Sequence, residues 1–168
     1  MTQETNNQNI ASVDCYIGMG SNLDNPIQHI NTAILELQQL ASVSNFEVSS
    51  LYRSAPVGPA GQDDYINAVA KITTTLSPEA LLDQLQTIEN SHQRVRIERW
   101  GARTLDLDIL LYSDLTINTP RLTIPHFSMC DRNFVLVPLA QLSNTLIING
   151  TAINALIEQC PAGSLEKL

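Results

Sequence analysis

Positive charge is scarce in this chain: nine lysines and arginines stand against seventeen aspartates and glutamates, a formal net charge of −8. That balance excludes a general nucleic-acid or anionic-membrane binder, whose surface must be basic to attract phosphates. No apolar run approaches the roughly 18 residues that span a bilayer, so no membrane contact is expected. Three cysteines, Cys15, Cys130 and Cys160, show no C-x-x-C spacing, and their odd number leaves no full disulfide pairing. Inert thiols in a reducing cytoplasm are expected. The opening T-Q-E-T-N-N-Q-N has neither the basic start nor the apolar core of a signal peptide, so residues 1–11 are expected to be a disordered tail and residues 12–168 a single domain. Neither G-x-G-x-x-G nor G-x-x-x-x-G-K-[ST] occurs, and Gly20-Ser21-Asn22 reads as a tight strand-to-helix turn rather than a phosphate loop. Internal repeats and linkers are also missing.

What is present is a core and a cluster. With 168 residues and 43% hydrophobic content, the chain can bury a core without disulfides. Six of its nine cations (Arg94, Arg96, Arg99, Arg103, Arg121 and Arg132) fall between positions 94 and 132, a local cationic patch on an acidic body that suits a small, highly charged anion. The stretch from Arg94 to Tyr112, R-V-R-I-E-R-W-G-A-R-T-L-D-L-D-I-L-L-Y, holds four of them with the lone tryptophan. From Leu105 it alternates, predicting a strand with Leu105, Leu107, Ile109 and Leu111 on one face and Asp106 and Asp108 on the other. Aspartate is disfavoured in strands, and two like charges side by side repel. Carboxylates two residues apart lie roughly 6.5 to 7 Å apart along a strand. Their inner oxygens can converge on divalent ions that clamp phosphates, with arginines holding the remaining phosphate charge. An ordinary amphipathic strand is the plainer alternative for any isolated D-x-D, but the neighbouring arginines favour a metal and phosphate site.

Along the chain, Val13 to Met19 alternates as a strand, and Asn25-Pro26 opens a helix whose buried positions are Ile27, Ile30, Ile34 and Leu37. A second strand is predicted from Phe46 to Tyr52, then a loop from Arg53 to Asp63 broken by prolines and glycines. Tyr65 to Leu76 forms the next strand, with Ile66, Ala68, Ala70 and Ile72 on one side and Tyr65, Asn67 and Val69 on the other. Ser77-Pro78-Glu79 is a helix start, and Leu81, Leu82, Leu85 and Ile88 its buried face. After the aspartate strand, Tyr112-Ser113-Asp114 turns into a short strand from Leu115 to Asn118, a hairpin. Arg121 to Phe127 is extended, Asn133 to Leu142 a helix despite Pro138, and a last helix follows Thr151. Taken alone, Tyr65 and Asn67 read as strand packing and a satisfied amide. Glu89 reads as a solvated acid or as the partner of Arg94 or a ligand, and His126 as a structural hydrogen-bonder. The order predicts an α+β fold, a ferredoxin-like βαββαβ sandwich with C-terminal additions, its antiparallel sheet covered by helices on one face. The D-x-D strand is expected inside that sheet, with its aspartates on the open face.

The segment R-V-R-x-x-R-W-G-x-R-T-L-D-L-D-I-L, with Y-I-G-M-G-S-N-L before it and L-T-I-P-H-F after it, resembles the 6-hydroxymethyl-7,8-dihydropterin pyrophosphokinases of folate biosynthesis over about Tyr16 to Leu139. The resemblance implies a transferase that moves the β,γ-pyrophosphoryl group of ATP to the pterin hydroxymethyl, releases AMP and uses two Mg²⁺ ions. It implies that Asp106 and Asp108 bridge the metals, and that Arg94 and Arg103 close over the phosphates from a mobile lid with Trp100 beside the pterin. Gln86, Glu89, Arg96, Arg121, Thr123, His126 and Arg132 match ATP-contacting positions. Ser54, Val57, Tyr65, Asn67 and Phe134 match the pterin pocket, two aromatic rings sandwiching the bicycle while Asn67 reads its edge. A cytoplasmic monomer, with ATP and the pterin as partners, is expected.

Departures from the family pattern bear on loop behaviour and ATP affinity rather than on the reaction. Ala102 and Ala55 stand where proline is common, Gln93 where glycine is frequent, no lysine follows Arg96, and Phe127 replaces a tyrosine. Two other classes remain: a palm-like nucleotidyl transferase, which would release pyrophosphate, and a non-catalytic pterin sensor, which would not turn over.

Overall fold

The computed structural model describes residues 11–92, 104–161 and 163–168. Among them, six strands form one antiparallel sheet: β1 (Val13–Ser21), β2 (Val43–Val48), β3 (Tyr52–Ser54), β4 (Tyr65–Thr74), β5 (Asp106–Tyr112) and β10 (Leu165–Lys167). The order is β10–β3–β4–β1–β5, with β2 also pairing with β4. Between them run α1 (Pro26–Gln38) and α2 (Pro78–Ser91), giving the expected ferredoxin-like order. After β5 come a hairpin of β6 (Ile117–Asn118) and β7 (Thr123–Ile124), a 3₁₀ turn (Met129–Asp131), α3 (Asn133–Leu142), a hairpin of β8 (Ile147–Ile148) and β9 (Thr151–Ala152), and α4 (Ile153–Gln159).

One face of the sheet meets α1 and α2. Cys15, Ile17 and Met19 of β1, Ile66, Ala68, Ala70 and Ile72 of β4, and Leu107 and Ile109 of β5 pack there against Ile30, Ala33, Leu37, Leu81, Leu85 and Ile88. Burial of each large aliphatic side chain contributes roughly 1.5–3 kcal/mol. Ser77 caps α2 as expected, its Oγ accepting from Ala80 N at 3.2 Å. Asn25 stands at the start of α1, but in the left-handed region (φ 65°) and without a side-chain cap bond. It serves the reversal before the helix, a conformation asparagine tolerates better than most residues. Ile27 is exposed rather than buried.

The other face is not open. Tyr16, Val69, Leu110 and Leu111 pack there under Leu136 and Leu139 of α3 and Ile153 of α4, a second core. The strand β5 is not internal either: among the described residues it pairs only with β1 and ends the sheet, as the fourth strand of this topology must. Its alternation also fails at Leu111. The β1–β5 register shifts between Tyr16 and Ile17, leaving Leu110 without a partner on β1. Such an extra residue turns the following side chains over. Leu111 therefore joins the second core, and Tyr112 comes round to the first.

The strand expected from Phe46 to Tyr52 is two strands on the same neighbour. At the break, Ser49 N donates to Val69 O and Val69 N donates to Ser49 Oγ, both at 2.9 Å, so a hydroxyl replaces one ladder partner. The turn after Tyr112 makes no hairpin with β5, because Ile117 and Asn118 pair with β7 instead. Strand β10 has too few residues to show a period, and only the structure reveals that it pairs with β3.

Candidate active site

A cleft opens on the second face, between the sheet and the N-terminal end of α3. Its floor is three strands wide. On β5 the pleat turns Asp106 and Asp108 into the cleft and Leu107 into the core, with Leu105 just before the strand also in the core, as their spacing predicts. On β4 the same alternation presents Tyr65, Asn67 and Val69. Between them lies β1, with Gly20 opposite both Asn67 and Asp106, and Gly18 opposite both Val69 and Asp108. A Cβ on Gly18 would meet Leu110 at 3.2 Å, and one on Gly20 would meet Asn67 Oδ1 at 3.5 Å. The two glycines thus leave backbone bare between the carboxylates and the Tyr65–Asn67 pair. Gly20 and Ser21 belong to β1 and not to the turn expected from their composition, and Gly20 is part of the floor. Glycine recurring at period two opposite Ile17 and Met19 was the available signal.

Two walls stand on this floor. Ser54, Ala55 and Val57 leave the end of β3 on one side, and Arg132, Phe134 and Val135 line the other. Asn67 Nδ2 donates to Ser54 Oγ at 2.8 Å, which fixes the amide face turned to the cleft. The Arg132 guanidinium lies over the Phe134 ring, 5.7 Å from its centroid. Asn22, buried at the end of β1, donates to Gln62 Oε1 at 3.2 Å and Asp63 O at 3.1 Å, holding the far end of the loop that carries Val57. Ser21 donates through Oγ to Thr104 O, tying β1 to the residues just before β5.

His126 closes the carboxylate end. Its backbone N donates to Leu110 O at 3.0 Å, using the acceptor freed by the register shift. Its Nδ1 accepts from Ser128 N at 3.4 Å, which leaves the ring proton on Nε2, 4.0 Å from Asp108 Oδ2. Burial, then the neighbouring Arg132 charge, lower its pKa below the usual 6.5, with Asp106 opposing them. The imidazole is therefore neutral at pH 7.

The expected site residues form two groups and a remainder. Asp106, Asp108, Ser54, Val57, Tyr65, Asn67, Phe134, His126 and Arg132 all line this one cleft. Gln86, Glu89, Arg121 and Thr123 do not; they lie around α2 and β7, along the outer edge of β5. Arg121 donates to Glu79 at 2.8 Å, to Gln86 at 3.2 Å and to Asp83, all three on α2. Glu89 is not a solvated acid: it is 3% exposed, and its Oε2 accepts from Leu107 N at 3.0 Å. Arg94, Arg96, Arg99, Trp100, Ala102 and Arg103 lie outside the described residues. Among the described residues no three His, Cys, Asp or Glu side chains converge on a metal position. Two carboxylates flanked by bare backbone fit Mg²⁺, which usually takes one or two carboxylates and completes its shell with substrate phosphates and water.

Burial raises the Cys15 thiol to about 12, so it is inert, and it also lifts Cys130 and Cys160 above the ordinary range. No helix among the described residues is long and apolar enough to cross a membrane.

Known proteins resemble this chain in fold and in sequence. The solved wild-type HPPK-DHPS of Plasmodium falciparum matches with a TM-score of 0.70 at 14% identity, over 89% of this chain and 45% of that one, so this chain spans less than half its length. That likeness concerns the fold alone. In sequence, the chain is 48% identical over 157 residues to the 2-amino-4-hydroxy-6-hydroxymethyldihydropteridine pyrophosphokinase of Haemophilus influenzae, covering 93% of this chain and 98% of the relative. The enzyme of the same name from Pseudomonas aeruginosa is 44% identical over 154 residues, 91% and 95% of the two chains. The family model for 7,8-dihydro-6-hydroxymethylpterin-pyrophosphokinase matches residues 16–144, and with these relatives it shows that the chain belongs to the 7,8-dihydro-6-hydroxymethylpterin-pyrophosphokinase family.

Proposed function

We propose that this cleft is where the chain performs its family's reaction, moving the β,γ-pyrophosphoryl group of ATP to the hydroxymethyl of 6-hydroxymethyl-7,8-dihydropterin and releasing AMP, in folate biosynthesis. The observation that carries the assignment is one floor with two chemistries: Asp106 and Asp108 at one end, Tyr65 and Asn67 at the other, and bare β1 backbone between. A flat heterocycle fits between Tyr65 and Phe134, its polar edge paired with the Asn67 amide that Ser54 holds. Val57 bounds it from the loop wall. Its hydroxymethyl then points across β1 towards the carboxylates.

In the transfer, the pterin oxygen bonds to the β-phosphorus while the bond from that phosphorus to the α-phosphate oxygen breaks, and AMP leaves. Asp106 takes the hydroxyl proton. The Nε2–H of His126 faces Asp108 at 4.0 Å. Two Mg²⁺ ions, held by Asp106 and Asp108, would align the phosphates and offset their charge when bound. Arg132 supplies fixed positive charge from the α3 side. Gln86, Glu89, Arg121 and Thr123 serve the nucleotide along β5, and Arg94, Arg96, Arg103 and Trp100 have the roles given by the family resemblance. A cytoplasmic monomer is part of this reading, and a reducing cytoplasm suits its unpaired cysteines.

The experiment is an assay of AMP formation from MgATP with and without the pterin. Pterin-dependent AMP with a diphosphorylated pterin is the expected result. Pyrophosphate release would favour a nucleotidyl transferase, and pterin binding without turnover a sensor.

A further inference from the structure

Among the described residues none after α4 lines the cleft, yet Gly163 and Ser164 run directly behind one of its walls. Strand β10 pairs with β3 in the register Leu165↔Ser54, Glu166↔Arg53 and Lys167↔Tyr52, and Leu168 N donates to Leu51 O at 2.9 Å. Just before it, Ser164 Oγ accepts from Ala55 N at 3.0 Å, and Gly163 O accepts from Asn133 Nδ2 at 3.2 Å. Ala55 begins the wall that carries Val57, and Asn133 adjoins Phe134 in the opposite wall. Residues 163–164 therefore bridge the two walls from behind.

We infer that Gly163–Ser164 with β10 forms a strap that sets the width of the pterin slot between Val57 and Phe134, making Ser164 and Asn133 positioning residues for pterin binding. Val57 is 58% exposed, so core packing does not place it. Its loop has positive-φ glycines at 58 and 61 and is anchored at its two ends, by Ser164 on the β3 side and by Asn22 on the β4 side. Loss of the first anchor frees the half of the loop that faces the pterin. The ordering of that half would then be drawn from binding energy. Among the described residues the strap lies at the opposite end of the sheet from β5, where the nucleotide residues lie, so its effect is confined to one substrate.

This inference rests on the pyrophosphokinase reading, and steady-state kinetics of the full chain separate the two. In Ser164→Ala with Asn133→Ala, the KM for the pterin should rise about 3- to 10-fold, the range expected for one or two exposed hydrogen bonds. The KM for ATP and the thermal midpoint should stay at the parent values, and Ser164→Thr, which keeps the hydroxyl, should restore the parent KM. An unchanged pterin KM in the double variant, with the parent active, overturns the strap and leaves the reaction standing. A joint rise in both KM values with a lowered thermal midpoint also overturns it, since that marks general loosening. A parent that forms no pterin-dependent AMP overturns both.

Discussion

Glu89 Oε2 accepts a 3.0 Å hydrogen bond from the backbone N of Leu107, so a buried acid on α2 pairs with an edge group of β5 between Asp106 and Asp108. An edge strand has backbone groups that no neighbouring strand satisfies. Here one is met by a helix side chain, which fixes the height of the strand under the aspartates. Glu89→Ala should lower stability by about 1–3 kcal/mol, because it strands a buried donor. Glu89→Gln keeps an acceptor and should cost less. Urea midpoints measure both, and an alanine variant as stable as the glutamine variant would remove Glu89 as a support of the strand.

Asp106 and Asp108 share a face of β5 and the same cleft. If each holds metal against the phosphates, Asp106→Ala and Asp108→Ala should each cut kcat/KM for AMP formation roughly 100-fold or more, the scale of losing a group acting on the transferring phosphoryl. Folding should survive, since both positions are only partly buried. Mg²⁺ titrations of residual activity should shift to higher concentration. Near-parent turnover in either variant would sink the metal-clamp assignment.

Arg121 is engaged by Glu79, Asp83 and Gln86 on α2, and hydrogen bonds to the two acids hold its pKa above the usual value. A nucleotide that recruits Arg121 must displace these partners. In Asp83→Asn one competing charge is gone, so the KM for ATP should fall about two- to threefold with kcat unchanged, in keeping with the small worth of exposed ion pairs. Raising the salt should shrink the difference. A higher KM would show instead that Asp83 presents the guanidinium to ATP.

Much of this was legible in the sequence because it follows local rules. The period-two alternation of β4 placed Asn67 and Tyr65 opposite Ala68 and Ala70 without reference to any other strand, and Ser77-Pro78 marked the start of α2 by its own chemistry. What could not be read depends on partners distant in the chain. The edge position of β5 is set by which strands β1 chooses, and the reversal at Leu111 by a register shift against Tyr16. Glu89 looked solvated because its partner, Leu107, lies 18 residues on. The second core needs α3 folded back over Val69 and Leu110, and the strap needs β10 beside β3; neither pairing leaves a periodic trace in so few residues. Gly18 and Gly20 fall between these cases, since their spacing was visible but their neighbours Asp106, Asp108 and Asn67 were not.

His126 gives the site a pH signature. Its folded pKa is lowered, first by burial and then by Arg132, below the 6.5 it would have unfolded. The unfolded chain therefore binds the proton more readily, and stability rises with pH through the interval between the two values. The contribution is fully present above about pH 6.5 and is lost as the pH falls through the folded value. Urea midpoints of the parent at pH 7.5 and pH 5 should thus differ by more than those of His126→Gln, which removes this titration. Activity should follow the same direction, because a protonated His126 adds a cation beside Asp108 and Arg132 and draws the carboxylate from the phosphates. An equal acid loss in parent and variant would show that folding leaves the proton affinity of the imidazole unchanged, and a smaller loss in the parent would show that Asp108, not burial, governs it.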